Sequence, residues 1–322
     1  MLRTRKRQAV EKIIVTTKQN NMPTAKKPKA DVEILSFYGG KVKLEKKPWG
    51  DHFRVTRIDE DGSRHSIISV TRVIKRLDKS QPLIIWAVGL TCGYVRSKIE
   101  LSKATSFTKE EIFSLVNEAS TKYTEAKESG GTVGGKIHDF AEAFAKSKVE
   151  NTIPPELKHF TLPDAEENRK VMNGINAFLD WYNEEDVEFL KMEDILYYNS
   201  FYAGDTKEGE IVVEFWGIRD LFARVNGVLT NVDYKTGKAI YTDQRYQLSA
   251  YNKSHNTNMP DNKGSEAQQG LILNFNKETG ELVKGYFTPE EMELDFTFGF
   301  CGLYFTSARE EALEKERLAK KK

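Results

Sequence analysis

The sequence predicts an α/β fold, a mixed central β-sheet flanked by helices with a small β element ahead of it. Three observations carry that expectation. Residues 187–236 are strand-rich, in "VEFLKMEDILYYN", "EIVVEFWGIRDLFARV" and "GVLTNVDYKT", and lie between segments of helical periodicity. After Thr242 the pattern returns to helix in "DQRYQLSAYNKS" and then to strand in "GLILNFNKETGELVKGYF". Residues 32–74 alternate apolar and polar around the turn signals "YGG" and "DEDGS", as a small antiparallel element would.

In chain order, residues 1–30 hold nine Lys/Arg and a single acid, Glu11. Such a basic arm can lie on phosphates, and the same composition fits a solvated, disordered tail equally well. The β element occupies 31–65, and the principal domain runs from 66 to 305. From Val70 to about Lys127 the pattern is helical, and Thr108 with Glu111 forms a capping box. "SGGTVGGKIHDFAEAFAKSK" reads as a glycine-rich turn feeding a helix that carries His138 and Glu142 on one side. A further helix starts at Asp164 and buries the stripe Val171, Ile175, Phe178, Leu179 and Tyr182. Residues 306–322 read as a charged helix or tail with few apolar anchors.

Composition narrows the function classes. The chain has 322 residues, with Lys+Arg 49 against Asp+Glu 48 and 39% hydrophobic residues, enough for one large domain or a domain with an appendage. Cys92 and Cys301 lie far apart, which supports neither a zinc ribbon, an iron–sulfur cluster nor a disulfide framework, and predicts a reducing, cytoplasmic setting. No stretch approaches the roughly 18 consecutive apolar residues of a membrane span.

The chemistry is concentrated in "GIRDLFARVNGVLTNVDYKTGK". Asp233 and Lys235 are two apart on a strand and share a face. Asp220 and Asp233 fit two antiparallel strands joined at the "VNG" turn, which would bring two carboxylates and a lysine together. Paired carboxylates repel unless a cation lies between them, and hard oxygen ligands with room for water and phosphate suit Mg²⁺ or Mn²⁺. The alternative for Asp-x-Lys by itself is a salt bridge on an exposed strand edge.

The stretch "GIRDLFARVNGVLTNVDYKTGKAIYTDQRYQLSAY" resembles the core of PD-(D/E)XK nucleases of the RecB and phage exonuclease type, with a G-x-x-D strand, a D-Y-K-T-G strand and a Q-x-x-x-Y helix in that order. "GTVGGKIHDFAEAF" resembles that family's G-x-x-x-H motif, and "SVTRVIKRLDKSQPLIIWAV" a segment preceding the core in phage-type members. The likeness spans residues 66–251. It implies a restriction-endonuclease-like core and a metal-dependent DNA exonuclease acting in recombination, repair or DNA processing. The alternatives are an endonuclease or resolvase of the same fold, or a DNA-binding protein that does not cut.

By the same resemblance, Asp220, Asp233 and the carbonyl of Tyr234 would be metal ligands, Lys235 the catalytic lysine, and His138 a ligand or its neighbour. Gln247 and Tyr251 would face the site, and Lys238 would touch phosphate. An upstream glutamate is expected too; Glu193 fits best, with Glu142, Glu210 and Glu214 competing. "YAGDTKEGE", residues 202–210, departs from the family's usual first acidic strand by placing Lys207 where an aspartate would fall, so Asp220 is the better match. The cysteine quartet of the iron–sulfur-containing relatives is missing, which excludes that branch. Implied partners are linear DNA with a free end and a recombination or single-strand-binding protein; a phage-encoded member would work in its host's cytoplasm. Oligomeric state is left open. His52, His65, His159 and His255 have no partner at metal-binding spacing, and Trp86, Trp181 and Trp216 read as packing residues.

Overall fold

The computed structural model describes residues 32–49, 52–258 and 265–319; the basic arm expected over 1–30 lies outside them. The chain begins with four antiparallel strands, β1 (Glu33–Phe37), β2 (Val42–Trp49), β3 (His52–Ile58) and β4 (Arg64–Ser66). Val42, Leu44 and Val55 bury one face of this sheet against Ile67, Trp216 and Tyr197 of the main body.

A two-residue strand, β5 (Ile68–Ser69), leads into three helices: α1 (Val70–Ile74), α2 (Ser80–Leu101) and α3 (Lys109–Val149). The helical pattern read from Val70 is thus interrupted twice. Thr108 caps α3 as expected, accepting from the Glu111 N–H while the Glu111 carboxylate receives the Thr108 N–H at 2.7 Å.

The glycine-rich turn is not present. α3 runs unbroken through Gly130, Gly131, Gly134 and Gly135. Glycine disfavours a helix interior by about 1 kcal/mol, yet packing outweighs this here. A β-carbon on Gly134 would stand 2.9 Å from Thr236 Oγ1, and one on Gly130 would meet Lys277 Nζ at 3.4 Å. At these two positions glycine lets other parts of the chain approach the helix.

α4 (Ala165–Glu184) is capped by Asp164, whose carboxylate accepts from the Glu167 N–H at 2.9 Å. Val171, Ile175 and Phe178 are buried as the stripe requires; Leu179 and Tyr182 pack at its margin. The main strands follow: β6 (Val187–Asn199), then after a single helical turn, α5 (Ser200–Ala203), and a loop, β7 (Glu214–Val225) and β8 (Val228–Lys235). Asn226 and Gly227, at φ +50° and +86°, make the tight β7–β8 turn. α6 (Thr242–Thr257) carries the chain to β9 (Gln269–Phe275), parallel to β8, and β10 (Leu282–Phe287) returns antiparallel. Helices α7 (Pro289–Leu294) and α8 (Cys301–Ala319), joined by a wide π turn, end the described chain.

The main sheet is mixed and runs β10-β9-β8-β7-β6, with β5 beside β7. α3 and α4 cover one face through Ile137, Phe140, Phe144, Ile175, Phe178 and Trp181. α6, α1 and the π turn cover the other through Val70, Tyr251, Phe296 and Phe300. Trp181 and Trp216 are packing residues as expected, but Trp86 is 38% exposed, with its ring edge-on to Tyr123. It lies on α2, which has no buried side chain at all, so no core is available to enclose it.

Candidate functional site

β7 shares one edge between two neighbours. β5 pairs with it at Phe215 and Trp216, β8 at Leu221 to Val225, and residues 217–220 lie between them without a strand partner on that side. Gly217 lets the Tyr251 ring pack directly on the strand here, since a β-carbon would fall 2.5 Å from that ring. In this opening the carboxylate of Asp220 takes the place of a ladder partner, accepting the main-chain N–H of Tyr234 at 2.7 Å.

Strand alternation breaks at the same point. Arg219 reaches His255 on the α6 side and Phe222 stacks near the same imidazole, whereas Asp220 points toward His138 of α3 and Leu221 enters the core beneath α3 and α4. Two consecutive side chains therefore share a face, which a regular strand forbids. β6 is irregular opposite: Glu193 has φ +46° between the pairs Met192↔Leu221 and Asp194↔Arg219. The register stays unshifted here, its one shift lying at Phe189/Lys191, so the kink turns both strands together and leaves Asp220 and Leu221 on the α3 side.

Of the residues singled out in the sequence, His138 Nδ1 lies 3.9 Å from Asp220 Oδ2. Asp233 is fully buried two residues beyond Asn231, and Lys235 Nζ contacts its Oδ2. Lys235 is both the ion-pair and the hydrogen-bond partner of this carboxylate. Asp233 is buried and the Lys235 side chain is 20% exposed, and both stand on a central strand rather than on an exposed edge. Burial pushes the Asp233 carboxyl up to about 7; Lys235 opposes that rise and Asp220 adds to it. Burial pulls the Lys235 ammonium down, but Asp233 and then Asp220 outweigh this and hold it above its ordinary value.

Gln247 and Tyr251 stand one turn apart on α6, the Gln247 amide donating to the Tyr251 hydroxyl at 2.8 Å. Burial, then the charges of Asp233 and Asp220, hold this phenol well above its ordinary range, so it stays protonated. The main chain of Tyr234 meets the site through its N–H, while its ring turns into the aromatic cluster with Phe178 and Phe275. Lys238 is exposed just past β8.

Among the glutamates, Glu193 occupies the register position across from Asp220 and is exposed. Glu214 is committed elsewhere, to Arg57 at 2.7 Å and the Tyr197 hydroxyl at 2.5 Å, and Glu210 closes a loop by accepting the Lys207 N–H. Glu142 lies one helical turn beyond His138.

Sequence reasoning missed the support behind the site. Arg219 is fully buried, donating to Asp194 at 2.9 and 2.6 Å and to Asn231 at 2.5 Å, and lying 3.2 Å from His255 Nδ1. Burial first, then the guanidinium, pushes the His255 imidazole down to about 4. The signal was an arginine inside an apolar strand directly before the key aspartate. Asp243 is a second omission: on the first turn of α6 it pairs with Lys79 at 2.5 Å and adds negative field at Asp233 and Lys235.

The donor set suits a hard divalent cation in kind. Asp233 holds a buried carboxylate against the Lys235 ammonium, Asp220 lies within its electrostatic reach, and an imidazole adjoins Asp220. Among the described residues no three His, Cys, Asp or Glu side chains are grouped so that they could hold a metal ion. Mg²⁺ needs no such group, since it commonly takes one or two carboxylates and completes its shell with water and phosphate.

No protein-family profile matches this chain, and no curated protein is similar to it. Among solved structures, the crystal structure of SSO0001 aligns at 10% identity over 51% of this chain and 75% of that chain, with a TM-score of 0.22. A likeness that low carries no argument about fold or function.

Proposed function

We propose that the chain is a Mg²⁺- or Mn²⁺-dependent deoxyribonuclease with a restriction-endonuclease-like core, an exonuclease that hydrolyses phosphodiester bonds in DNA recombination, repair or processing. The observation that carries this reading is the buried Asp233 carboxylate, which has the Lys235 ammonium as its partner and lies within the field of Asp220 at a break in the sheet. The Asp220 charge bears on Asp233 here, and a cation between two such carboxylates relieves their repulsion.

Asp220 and Asp233 would hold that cation, with His138 and Glu193 beside it. The ion, when bound, supplies Lewis-acid polarisation of a phosphoryl oxygen. Lys235 stays protonated against its burial, so its ammonium is available to stabilise charge developing on the phosphate or to orient an attacking water. Asp220 is kept from rotating by the Tyr234 N–H, and the Gln247–Tyr251 pair presents a fixed, neutral hydrogen-bonding group to a nucleotide. Lys238, exposed past the strand end, would contact a neighbouring phosphate.

End-labelled linear DNA and closed circular DNA are incubated with Mg²⁺ or Mn²⁺ and with EDTA. The reading expects metal-dependent loss of linear DNA only, abolished in Asp220→Asn and Lys235→Ala. Cutting of the circle would make the chain an endonuclease of the same chemistry. Binding without cleavage, retained in both variants, would refute the enzyme.

A further inference from the structure

β1 pairs with β2 no further than Glu33↔Lys46, and β4 with β3 no further than Thr56↔Ser66. β2 and β3 continue together through Lys47↔Arg54 to Trp49↔His52, as a two-stranded ribbon beyond the strands on either side. Val42, Leu44 and Val55, which bury this sheet against the body, all lie outside the ribbon. By strand alternation Lys43, Lys47, Trp49 and Arg54 share the face opposite those three, and all four are exposed, Trp49 at 64%. The Arg54 guanidinium lies 5.7 Å from the centre of the Trp49 ring. Lys47 and Arg54 stand directly across from each other, a like-charge pair that weakens the ribbon instead of supporting it. Among the described residues neither has a carboxylate partner: Glu45, on the same face, is committed to Arg64 at 3.0 Å, and Glu33 to Lys46 at 3.5 Å.

We propose that this ribbon is a binding site for single-stranded DNA, with Trp49 stacking on an unpaired base and Lys47, Arg54 and Lys43 holding the phosphates beside it. Unpartnered cations next to an exposed indole complement a polyanion whose bases offer flat faces. Lys43 and Lys47, four residues apart on a strand, are spread over about 13 Å, so the row follows a backbone rather than gripping one anion. A tryptophan face accepts any base, but only one that is not already stacked within a duplex, which selects the single strand. A membrane surface fits less well. Phe53 pairs with Pro48 on the opposite face, so Trp49 shares its own with charges, whereas a bilayer takes up a broad apolar face. The proposal rests on the nuclease reading for DNA over RNA, and adds to it a strand contact made by none of the residues placed at the cleavage site.

Fluorescence anisotropy of a labelled oligo(dT) strand and of a blunt duplex of the same length, titrated with the full chain in EDTA, tests it. Trp49→Ala is expected to weaken single-strand binding about tenfold or more, the worth of one stacked base, with the salt dependence unchanged. Trp49→Phe should keep most of the affinity. Lys47→Ala/Arg54→Ala should lower the slope of log affinity against log salt by about 1.4, for two phosphate contacts at about 0.7 each. Because the three side chains are exposed and outside the buried part of the sheet, these variants should keep their circular dichroism and thermal transition. Lys158→Ala, at an exposed lysine between α3 and α4, should bind as the wild type does. Wild-type affinity in Trp49→Ala, an equal loss in Lys158→Ala, or a wild type that prefers the duplex overturns the proposal. So does binding to phosphatidylserine vesicles without binding to the strand. Since binding is read in EDTA, a failure to cleave DNA in Mg²⁺ would count against the nuclease reading alone.

Discussion

Substituting alanine at two adjacent glycines of α3 probes both the course of the helix and its contact with the site. Gly134 and Gly135 both lie in the helix interior, where alanine is better than glycine by about 1 kcal/mol. At Gly135 a β-carbon meets nothing within 4 Å, so Gly135→Ala should gain nearly all of that. At Gly134 the new methyl would stand 2.9 Å from Thr236 Oγ1, several tenths of an ångström inside ordinary contact. Displacing a packed residue to that extent costs about 1–3 kcal/mol, which cancels or exceeds the helical gain. Thr236 directly follows Lys235, so the displacement also reaches the site. Thermal unfolding should place Gly135→Ala about 2–4 °C above the wild type and Gly134→Ala level with it or below. DNA cleavage should be unchanged in the first variant and reduced in the second. Equal stabilisation of both would refute the close approach of Thr236, and marked destabilisation of both would mean that the helix does not run through these glycines.

Further outcomes follow from the buried charges. Arg219→Met removes the bonds to Asp194 and Asn231 and should cost about 3 kcal/mol in urea unfolding, the low end for a broken buried pair because Asp194 is a quarter exposed; a loss under about 1 kcal/mol would show that the network is dispensable. His255, pushed down to about 4, contributes stability that is present above its ordinary value near 6.5 and lost as pH falls toward 4. His255→Gln should flatten that acid limb, worth about 3 kcal/mol at about 1.4 kcal/mol per pKa unit. Asp233, pushed up to about 7, has the opposite sign: its contribution is full below the ordinary 3.8 and is lost as pH rises through 7. In EDTA, the fall in wild-type stability between about pH 4 and about pH 8 should be absent in Asp233→Asn. Unfolding free energies that run parallel across that range would remove the case for a charged, buried Asp233.

What the sequence determined by itself is local. The Thr108 and Asp164 caps and the stripe of α4 are set within a few residues by hydrogen bonding or periodicity, and the structure has them where the residues indicated. The Asn226-Gly227 turn also brings Asp220 and Asp233 onto neighbouring strands, because a two-residue turn leaves them no other partner. Tertiary structure decided the rest. Glycine is a weak local signal, so whether "SGGTVGG" turns or continues as helix depended on Thr236 and Lys277 pressing against it. Strand periodicity would put Asp220 on the same side as Phe222, and only the paired irregularity in β6 and β7 moved it to face His138. The burial of Arg219 and His255 likewise required α6 to close over the sheet. A charge inside a strand can be read from sequence, but its partners lie up to 36 residues away and exist only once the layers have packed.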